Sequence, residues 1–114
     1  MKGSWHASRE QAADARIEEG RRSALILEHG SLEVRYYAPK SIDAQTPHGR
    51  DEVYFVASGR GFFVCGKERV ACGPSDMLFA PAGAVHRFED FSGDFAAWVV
   101  FYGPKGGERD NPFV

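Results

Sequence analysis

The stretch that decides the fold is residues 45–59, which read QTPHGRDEVYFVASG. Its second half is rich in β-branched and aromatic residues and ends on a Ser-Gly pair, so it predicts a strand followed by a turn. Residues 73–88, GPSDMLFAPAGAVHRF, contain a second strand, a Pro-Ala-Gly turn and the start of a third strand. Both stretches therefore place polar, chemically versatile side chains beside predicted strands.

Similar short apolar runs, separated by turns rich in Gly, Pro, Ser and Asp, continue on both sides of these stretches. We predict eight strands, at residues 24–28, 32–37, 53–57, 62–65, 69–72, 77–80, 86–89 and 95–102. Strands at this regular spacing, with no helical period between them, favour an all-β sandwich or barrel. A chain of 114 residues has room for one such domain.

The two ends of the chain differ from the β-rich region, which we place at residues 23–103. Residues 1–22 are polar and predict a solvated arm or a short helix, since they contain no Leu, Val or Phe. Ser8 and Gln11 have the spacing of a capping box, and Gly20 is a candidate for the end of the helix. Residues 104–114 contain Gly, Pro and Asn and predict a flexible tail.

Composition argues against several classes of function. The chain has 14 Lys and Arg against 16 Asp and Glu, a net charge of −2, which does not favour binding to nucleic acid or to a membrane surface. No apolar run approaches the roughly 18 residues of a membrane span, and the first residues lack the apolar stretch of a signal peptide, so we expect a cytoplasmic protein. Cys65 and Cys72 are expected to be reduced thiols, because the hairpin between them holds them too far apart for a disulfide.

Three side chains of the first stretch are spaced to point the same way. Because alternate residues of an extended chain share a face, His48, Glu52 and Tyr54 are expected to project together. An imidazole and a carboxylate in this arrangement are two-thirds of a facial metal site. In the second stretch, His86 directly follows the Pro-Ala-Gly turn and shares a face with Phe88.

These residues resemble the two conserved motifs of the cupin superfamily, and the resemblance spans roughly residues 23–103. The matching residues are His48, Glu52 and Gly59 in the first motif and Pro81, Gly83 and His86 in the second. The resemblance implies a jelly-roll barrel, commonly dimeric, with a divalent metal ion inside. It also implies that His48, Glu52 and His86 hold the metal.

The chain departs from the cupin motifs at positions that bear on this site. Thr46 stands where the first motif has its first histidine, so two histidines and one glutamate remain. The Gln45 side chain or the Thr46 hydroxyl could approach as an additional weak ligand, and the sequence leaves that choice open. In the second motif, Ser75 stands where a glycine usually opens the motif and Asp90 where an asparagine often ends it.

A set of two histidines and one carboxylate leaves coordination positions open for water, substrate or oxygen. Such a set suits Fe or Mn, with Ni or Zn as other candidates. The first hypothesis is therefore a metal-dependent enzyme acting on a small polar organic molecule, with dioxygenase-like chemistry or with isomerase or lyase chemistry. Tyr54, whose phenol can donate a proton, and His86 are the candidate catalytic residues.

Three other interpretations stay open. The barrel could bind or sense a small molecule without catalysis. It could instead be a metal-free isomerase or dehydratase that uses His48 or His86 as a general base. The motif residues could also hold nothing, with Glu52 simply paired to Arg50 or Arg87.

Several predicted strands are apolar on both faces, which a lone sandwich does not need. A second copy of the chain would cover the extra face, so we expect a homodimer. Inside the barrel, we expect Tyr54 and Phe88 to line a cavity together with the face of the last strand that carries Trp98, Val100 and Tyr102. The arginines considered as anchors for an anionic substrate are Arg35, Arg50, Arg60 and Arg87.

Overall fold

The computed structural model describes residues 6–109, and within them it contains one helix and eight strands. The strands lie within two residues of their predicted positions. The elements are α1 Arg9–Asp14, β1 Ala24–His29, β2 Leu32–Tyr37, β3 Asp51–Ser58, β4 Gly61–Cys65, β5 Glu68–Cys72, β6 Met77–Ala80, β7 His86–Glu89 and β8 Ala96–Tyr102.

The strands form two antiparallel sheets that pack face to face as a jelly roll. One sheet has the order β1-β2-β8-β3-β6 and the other the order β5-β4-β7. The main core lies between them, where Phe88 of the smaller sheet contacts Tyr54 at 4.9 Å and Phe95 at 4.7 Å between ring centroids. All three rings are 1% exposed, so aromatic packing fixes the distance between the sheets.

The cavity-facing side of β8 is opposite to the one that the sequence predicts. Val99 pairs with Tyr54 of β3 and lies in the core, whereas Trp98 packs edge-on against Tyr36 on the outer surface of the sheet. The prediction is wrong because both faces of β8 are apolar, so alternation alone cannot identify the buried one. The register with β3 decides it, since directly paired residues share a face.

Helix α1 begins with the predicted capping box but ends earlier than predicted. Ser8 Oγ accepts from the Gln11 backbone N–H at 3.0 Å, and Gln11 Oε1 accepts from the Ser8 N–H at 2.8 Å. The helix ends at Asp14, so the prediction that Gly20 ends it is wrong. In the described part of the chain no helix is long and apolar enough to span a membrane.

The helix is also more than a solvated arm. Ala12 is 1% exposed and packs in a second apolar cluster with Ala24, Ile26, Tyr36 and Ala96 on the outer face of the larger sheet. Small alanine side chains are sufficient for this contact because they let the helix backbone approach the sheet closely. The residues that follow α1 are thereby led back over the sheet towards one end of the barrel.

The start of the C-terminal segment is tied to the barrel. The Asp51 carboxylate, on a residue that is 2% exposed, accepts from the backbone N–H of Ala82 at 2.9 Å and of Glu108 at 2.8 Å. The first part of the tail, predicted to be flexible from residue 104, is therefore anchored next to Glu52. Residues 110–114 of that tail, like residues 1–5 of the arm, lie outside the described residues.

The two free cysteines lie as the hairpin register predicts. Cys65 pairs with Glu68 and Cys72 pairs with Gly61 across β4 and β5. The two thiols therefore lie at opposite ends of the β4–β5 ladder, too far apart for a disulfide.

Several positions of the two motifs have a left-handed backbone conformation. Gly59 has a φ of +77°, and a Cβ there would lie 2.6 Å from Phe95 Cα, so this motif position accepts glycine alone. Ser75 and Asp90, the two departures in the second motif, have φ values of +74° and +49°. The glycine and asparagine expected there are residues that adopt this conformation at low cost.

Replacing Ser75 with glycine is therefore expected to stabilise the protein. The relief of left-handed strain exceeds the extra entropy that glycine loses on folding, which leaves a gain of about 0.5–1 kcal/mol in the free energy of unfolding. Urea denaturation measures the gain, and Ser75→Ala, which keeps the strain and removes the hydroxyl, is the matched control. A Ser75→Gly protein no more stable than the Ser75→Ala protein would contradict the assignment.

Candidate metal centre

The three motif residues converge at one end of the barrel. Glu52 lies on β3, His86 opens β7, and His48 precedes β3, yet one potential ligand atom of each lies within 4.8 Å of the others. Glu52 Oε1 is 3.0 Å from His86 Nε2 and 3.8 Å from His48 Nε2. Two imidazoles and a carboxylate thus point at a common space, as the motifs predict.

Burial makes this site open on one side only. The side chains of Glu52 and His86 are 2% and 1% exposed, whereas that of His48 is 34% exposed. His48 borders a cavity of about 370 Å³ that is also lined by Glu52, Tyr54 and Phe101. Solvent or a ligand can therefore reach the site from the His48 side.

Glu52 Oε1 is the buried side-chain oxygen that has no hydrogen-bond partner among the described residues. The arginines considered as partners for it bind elsewhere: Arg50 pairs with Glu33 at 2.7 Å and Arg87 with Glu89 at 2.6 Å. A buried carboxylate oxygen normally has a partner, because its desolvation is otherwise uncompensated. A cation bound between Glu52 and the two imidazoles would supply the compensation, so the donor set fits a divalent metal ion.

The tautomer of His86 suits ligation through Nε2. Its Nδ1 lies 3.0 Å from the Ala84 carbonyl oxygen, which can only accept, so Nδ1 carries a proton. A carbonyl that holds the far ring nitrogen is the usual support of a metal-bound histidine. In the neutral ring the lone pair is then on Nε2, which faces Glu52 and lies 3.1 Å from the Tyr54 hydroxyl.

The two histidines have pKa values shifted in opposite directions. Burial lowers the pKa of His86, but the adjacent Glu52 carboxylate, the Ala84 carbonyl and the Asp43 charge outweigh burial and raise the net pKa. Burial also lowers the pKa of His48, and there the Glu52 charge does not compensate, so the net pKa is lowered. His48 is therefore held neutral, the form that ligates a metal.

Gln45 presents its carboxamide oxygen to this site because of a buried carboxylate behind it. Asp43 Oδ2 accepts from Gln45 Nε2 at 2.6 Å and from the Phe88 backbone N–H at 2.8 Å, while Asp43 Oδ1 accepts from the Tyr37 hydroxyl. A flipped amide would set two oxygens against each other, so Gln45 Oε1 must face away from Asp43. It lies 3.2 Å from His48 Nε2, and Thr46 lines the same cavity.

Asp43 and Tyr37 are site residues that sequence reasoning missed. Neither belongs to a motif, and Asp43 lies in the irregular segment between β2 and β3. The two-residue spacing between Asp43 and Gln45 is a signal in retrospect, since alternate residues of an extended segment lie on one side.

Tyr54 is a protonated phenol beside the histidines. Burial and then the charge of Glu52 raise its pKa well above the usual value. Its hydroxyl donates to Gln45 Oε1 at 3.0 Å. Tyr54 therefore acts as a hydrogen-bond donor in this cavity and does not act as a base.

Comparison with known proteins finds a protein family whose model matches most of the chain. The cupin domain family model matches residues 33–102, a range that includes every motif residue. An uncharacterized protein of Streptomyces coelicolor is 37% identical over 82 residues, which cover 70% of this chain and 78% of that protein.

The relatives that match a smaller part of the chain include enzymes. An acireductone dioxygenase of Pseudomonas aeruginosa is 39% identical over 66 residues, which cover 52% of this chain and 35% of the dioxygenase. This chain thus spans about a third of the length of that enzyme.

Solved structures share the fold. A cupin 2 conserved barrel domain protein from Salinispora arenicola has a TM-score of 0.65 at 17% identity, covering 89% of this chain and 91% of that chain. A structure of DMSP lyases has a TM-score of 0.58 at 28% identity, covering 69% of this chain and 42% of that chain.

The raised pKa of His86 predicts a pH-dependent contribution to stability in chelator-treated protein. A raised folded-state pKa stabilises fully below the unfolded value of about 6.5, and the contribution is lost as pH rises through the folded value. The stability difference between wild type and His86→Asn is therefore expected to be larger near pH 5.5 than near pH 8.5. Urea denaturation in chelator at both values measures it, with His29→Asn as the surface control. A difference that grows with pH would contradict the pairing of His86 with Glu52.

Proposed function

The chain belongs to the cupin domain family, and on that premise we propose that it is a metal-dependent enzyme acting on a small polar organic molecule. The observation that carries the proposal is the buried Glu52 Oε1, which accepts no hydrogen bond from the described residues and lies 3.0 Å from His86 Nε2. Burying such an oxygen without a counter-charge costs free energy, because the lost hydration of the carboxylate is not compensated. The accessible cavity next to it gives a small molecule a way in.

His48, Glu52 and His86 would hold the metal, with Gln45 Oε1 as an additional neutral oxygen donor. The orientation of Gln45 by Asp43 supports that choice over Thr46. One carboxylate leaves one positive charge of a divalent ion uncompensated, and the set leaves positions free for a substrate. Fe, Mn, Ni and Zn are all compatible with these donors.

The bound metal would supply Lewis acidity, and with iron also a route to oxygen chemistry. The likeness to acireductone dioxygenase and to DMSP lyases supports two forms of this proposal, dioxygenase-like chemistry and lyase or isomerase chemistry. Tyr54 is proposed as a catalytic residue because its hydroxyl keeps its proton and can donate it to an oxygen of the bound molecule. Gln45 Oε1, 3.0 Å away, accepts from that hydroxyl and orients it.

We also propose that the protein is a homodimer. On the outer face of the larger sheet, Phe55 is 44% exposed and Met77 is 58% exposed, and the two are paired across β3 and β6. Phe55 also pairs with Trp98 of β8. This apolar strip favours association with a second copy. The two free thiols fit the proposed cytoplasmic location.

Loss of a ligand is expected to empty the site without unfolding the barrel. Purified Glu52→Gln and His86→Ala proteins should lose nearly all bound metal in elemental analysis, and Gln45→Ala should weaken metal affinity by about tenfold. Glu89→Gln, which changes a carboxylate on the surface of β7, should keep wild-type metal content. Wild-type metal content in the Glu52→Gln protein would refute the assignment. A metal-loaded protein that binds small molecules without turning any over would favour the binding module.

The dimer proposal is tested by light scattering. Wild type at micromolar concentration should have about twice the 12.6 kDa mass of the chain, and Phe55→Glu should reduce it to one chain because it buries a charge in the apolar strip. Val85→Glu is the control, since Val85 is 58% exposed in the turn between β6 and β7. A monomeric wild type would show that the apolar strip has another role.

A further inference from the structure

We propose that Arg21 and Arg22, on the segment between α1 and β1, select small organic carboxylates at the mouth of the cavity. The inference rests on the proposed function in one respect: the proposed metal would bind the end of the ligand that the arginines do not bind. Its own basis is the position and pairing of these two arginines. It adds to the proposed function a substrate class and two specificity-determining residues.

The segment that carries the arginines forms one wall of the metal-site cavity. Residues 20–23 line the cavity together with His48, Glu52 and Tyr54. The packing of α1 through Ala12 on the outer face of the sheet leads the chain back to this end of the barrel. The arm therefore contributes to the candidate site, although it belongs to no motif.

Both guanidinium groups lie within electrostatic reach of the site. Burial is the main cause of the lowered pKa of His48, and the positive charge of Arg21 adds to it. Burial and the Asp43 carboxylate raise the pKa of Tyr37, and the charge of Arg22 opposes them. Both arginines line the same cavity as these two side chains.

Other arginines near the mouth are already bound within the protein. Arg35 is 3% exposed, pairs with Glu33 and donates to the Ser23 carbonyl at 2.9 Å. Arg50 pairs with Glu33 at 2.7 Å and donates to the Ser31 carbonyl. Of the arginines that the sequence suggests as anion anchors, these two are therefore occupied, and Arg60 and Arg87 do not line this cavity.

Arg21 and Arg22 keep their guanidinium groups available. Arg21 approaches Glu33 only at 4.0 Å, and its side chain is 49% exposed. Arg22 forms no ion pair within residues 6–109 and is exposed. Two cations thus stand at the entrance without a firm internal partner, which is the arrangement expected of an anion-recognition site.

The charges inside the cavity do not neutralise them. The Asp43 carboxylate is buried and accepts hydrogen bonds from Tyr37, Gln45 and Phe88, and Glu52 is the proposed metal ligand. A ligand that brings its own negative charge compensates the arginines, whereas a neutral or cationic ligand does not. The planar fork of a guanidinium group matches a carboxylate in two parallel hydrogen bonds.

The size of the cavity limits the ligand to a small one. Its volume of about 370 Å³ lies near the lower end of the range of roughly 300–1,000 Å³ for small-molecule sites. The mouth carries the arginines and the interior carries the metal ligands. A short molecule with a carboxylate at one end and an oxygen donor at the other spans the two.

The test compares carboxylate binding with metal content. Metal-loaded wild-type protein and the R21Q/R22Q double variant are titrated calorimetrically with acetate, malonate and succinate, and with malonamide as a neutral analogue of malonate. The R9Q/R87Q variant removes two surface arginines outside the cavity, at positions that pair with Glu10 and Glu89. Elemental analysis of every sample reports on the metal separately.

We expect the R21Q/R22Q protein to hold as much metal as wild type but to bind the tightest of the carboxylates about tenfold more weakly, as the loss of charge-assisted hydrogen bonds implies. The R9Q/R87Q protein should match wild type, and malonamide should bind more weakly than malonate. Equal carboxylate affinity in the R21Q/R22Q and wild-type proteins would overturn the inference. So would malonamide binding as tightly as malonate, or no carboxylate binding to wild type at millimolar concentration.

The result separates this inference from the proposed function. A protein that takes up no metal but still binds carboxylates through Arg21 and Arg22 would refute the metal enzyme and keep the anion selectivity. A protein that holds metal but binds carboxylates independently of both arginines would refute the anion selectivity and leave the proposed metal site standing.

Discussion

The constraint on which the site depends is the burial of the Glu52 carboxylate in the barrel interior. β3 lies between β6 and β8 in the larger sheet, so its inward side chains face the core between the two sheets. Glu52 is 1% exposed, and its Oε1 lacks a hydrogen-bond partner among the described residues. The neighbouring groups that could compensate its charge are the imidazoles of His86 and His48. A cation shared among the three is the arrangement that satisfies all of them.

Comparison with two other buried carboxylates shows why Glu52 stands apart. Asp43 is bound by Tyr37, by Gln45 and by a backbone N–H of β7, and it fixes the orientation of the Gln45 amide. Asp51 accepts one backbone N–H on each oxygen and joins the turn after β6 to the C-terminal segment. Those carboxylates have fully assigned structural roles, because each oxygen has a donor. Glu52 Oε1, in contrast, has no such donor, and it lies 3.0 Å from His86 Nε2 and 3.8 Å from His48 Nε2.

The sequence predicts the positions of the strands well, and it predicts that His48 and Glu52 face the same way, because both depend on local patterns. Turn residues delimit the strands, and the spacing of His48, Glu52 and His86 follows from strands and a short turn. The features that the sequence does not predict depend on contacts between distant segments of the chain. The buried face of β8 is set by its register with β3. Helix α1 docks on the sheet through small alanine side chains, and that docking sets the place of Arg21 and Arg22 at the cavity. Two apolar faces or an isolated basic pair carry no such information by themselves.

X-ray absorption at the metal edge of the loaded protein tests the central claim most directly. The account predicts two imidazole ligands together with oxygen donors, at about 2.0–2.2 Å if the metal is zinc, and no sulfur. In the Glu52→Gln protein the same measurement should find little bound metal. A sulfur shell near 2.3 Å, which would place the metal at Cys65 or Cys72, would contradict the account. Fewer than two imidazoles would contradict it equally.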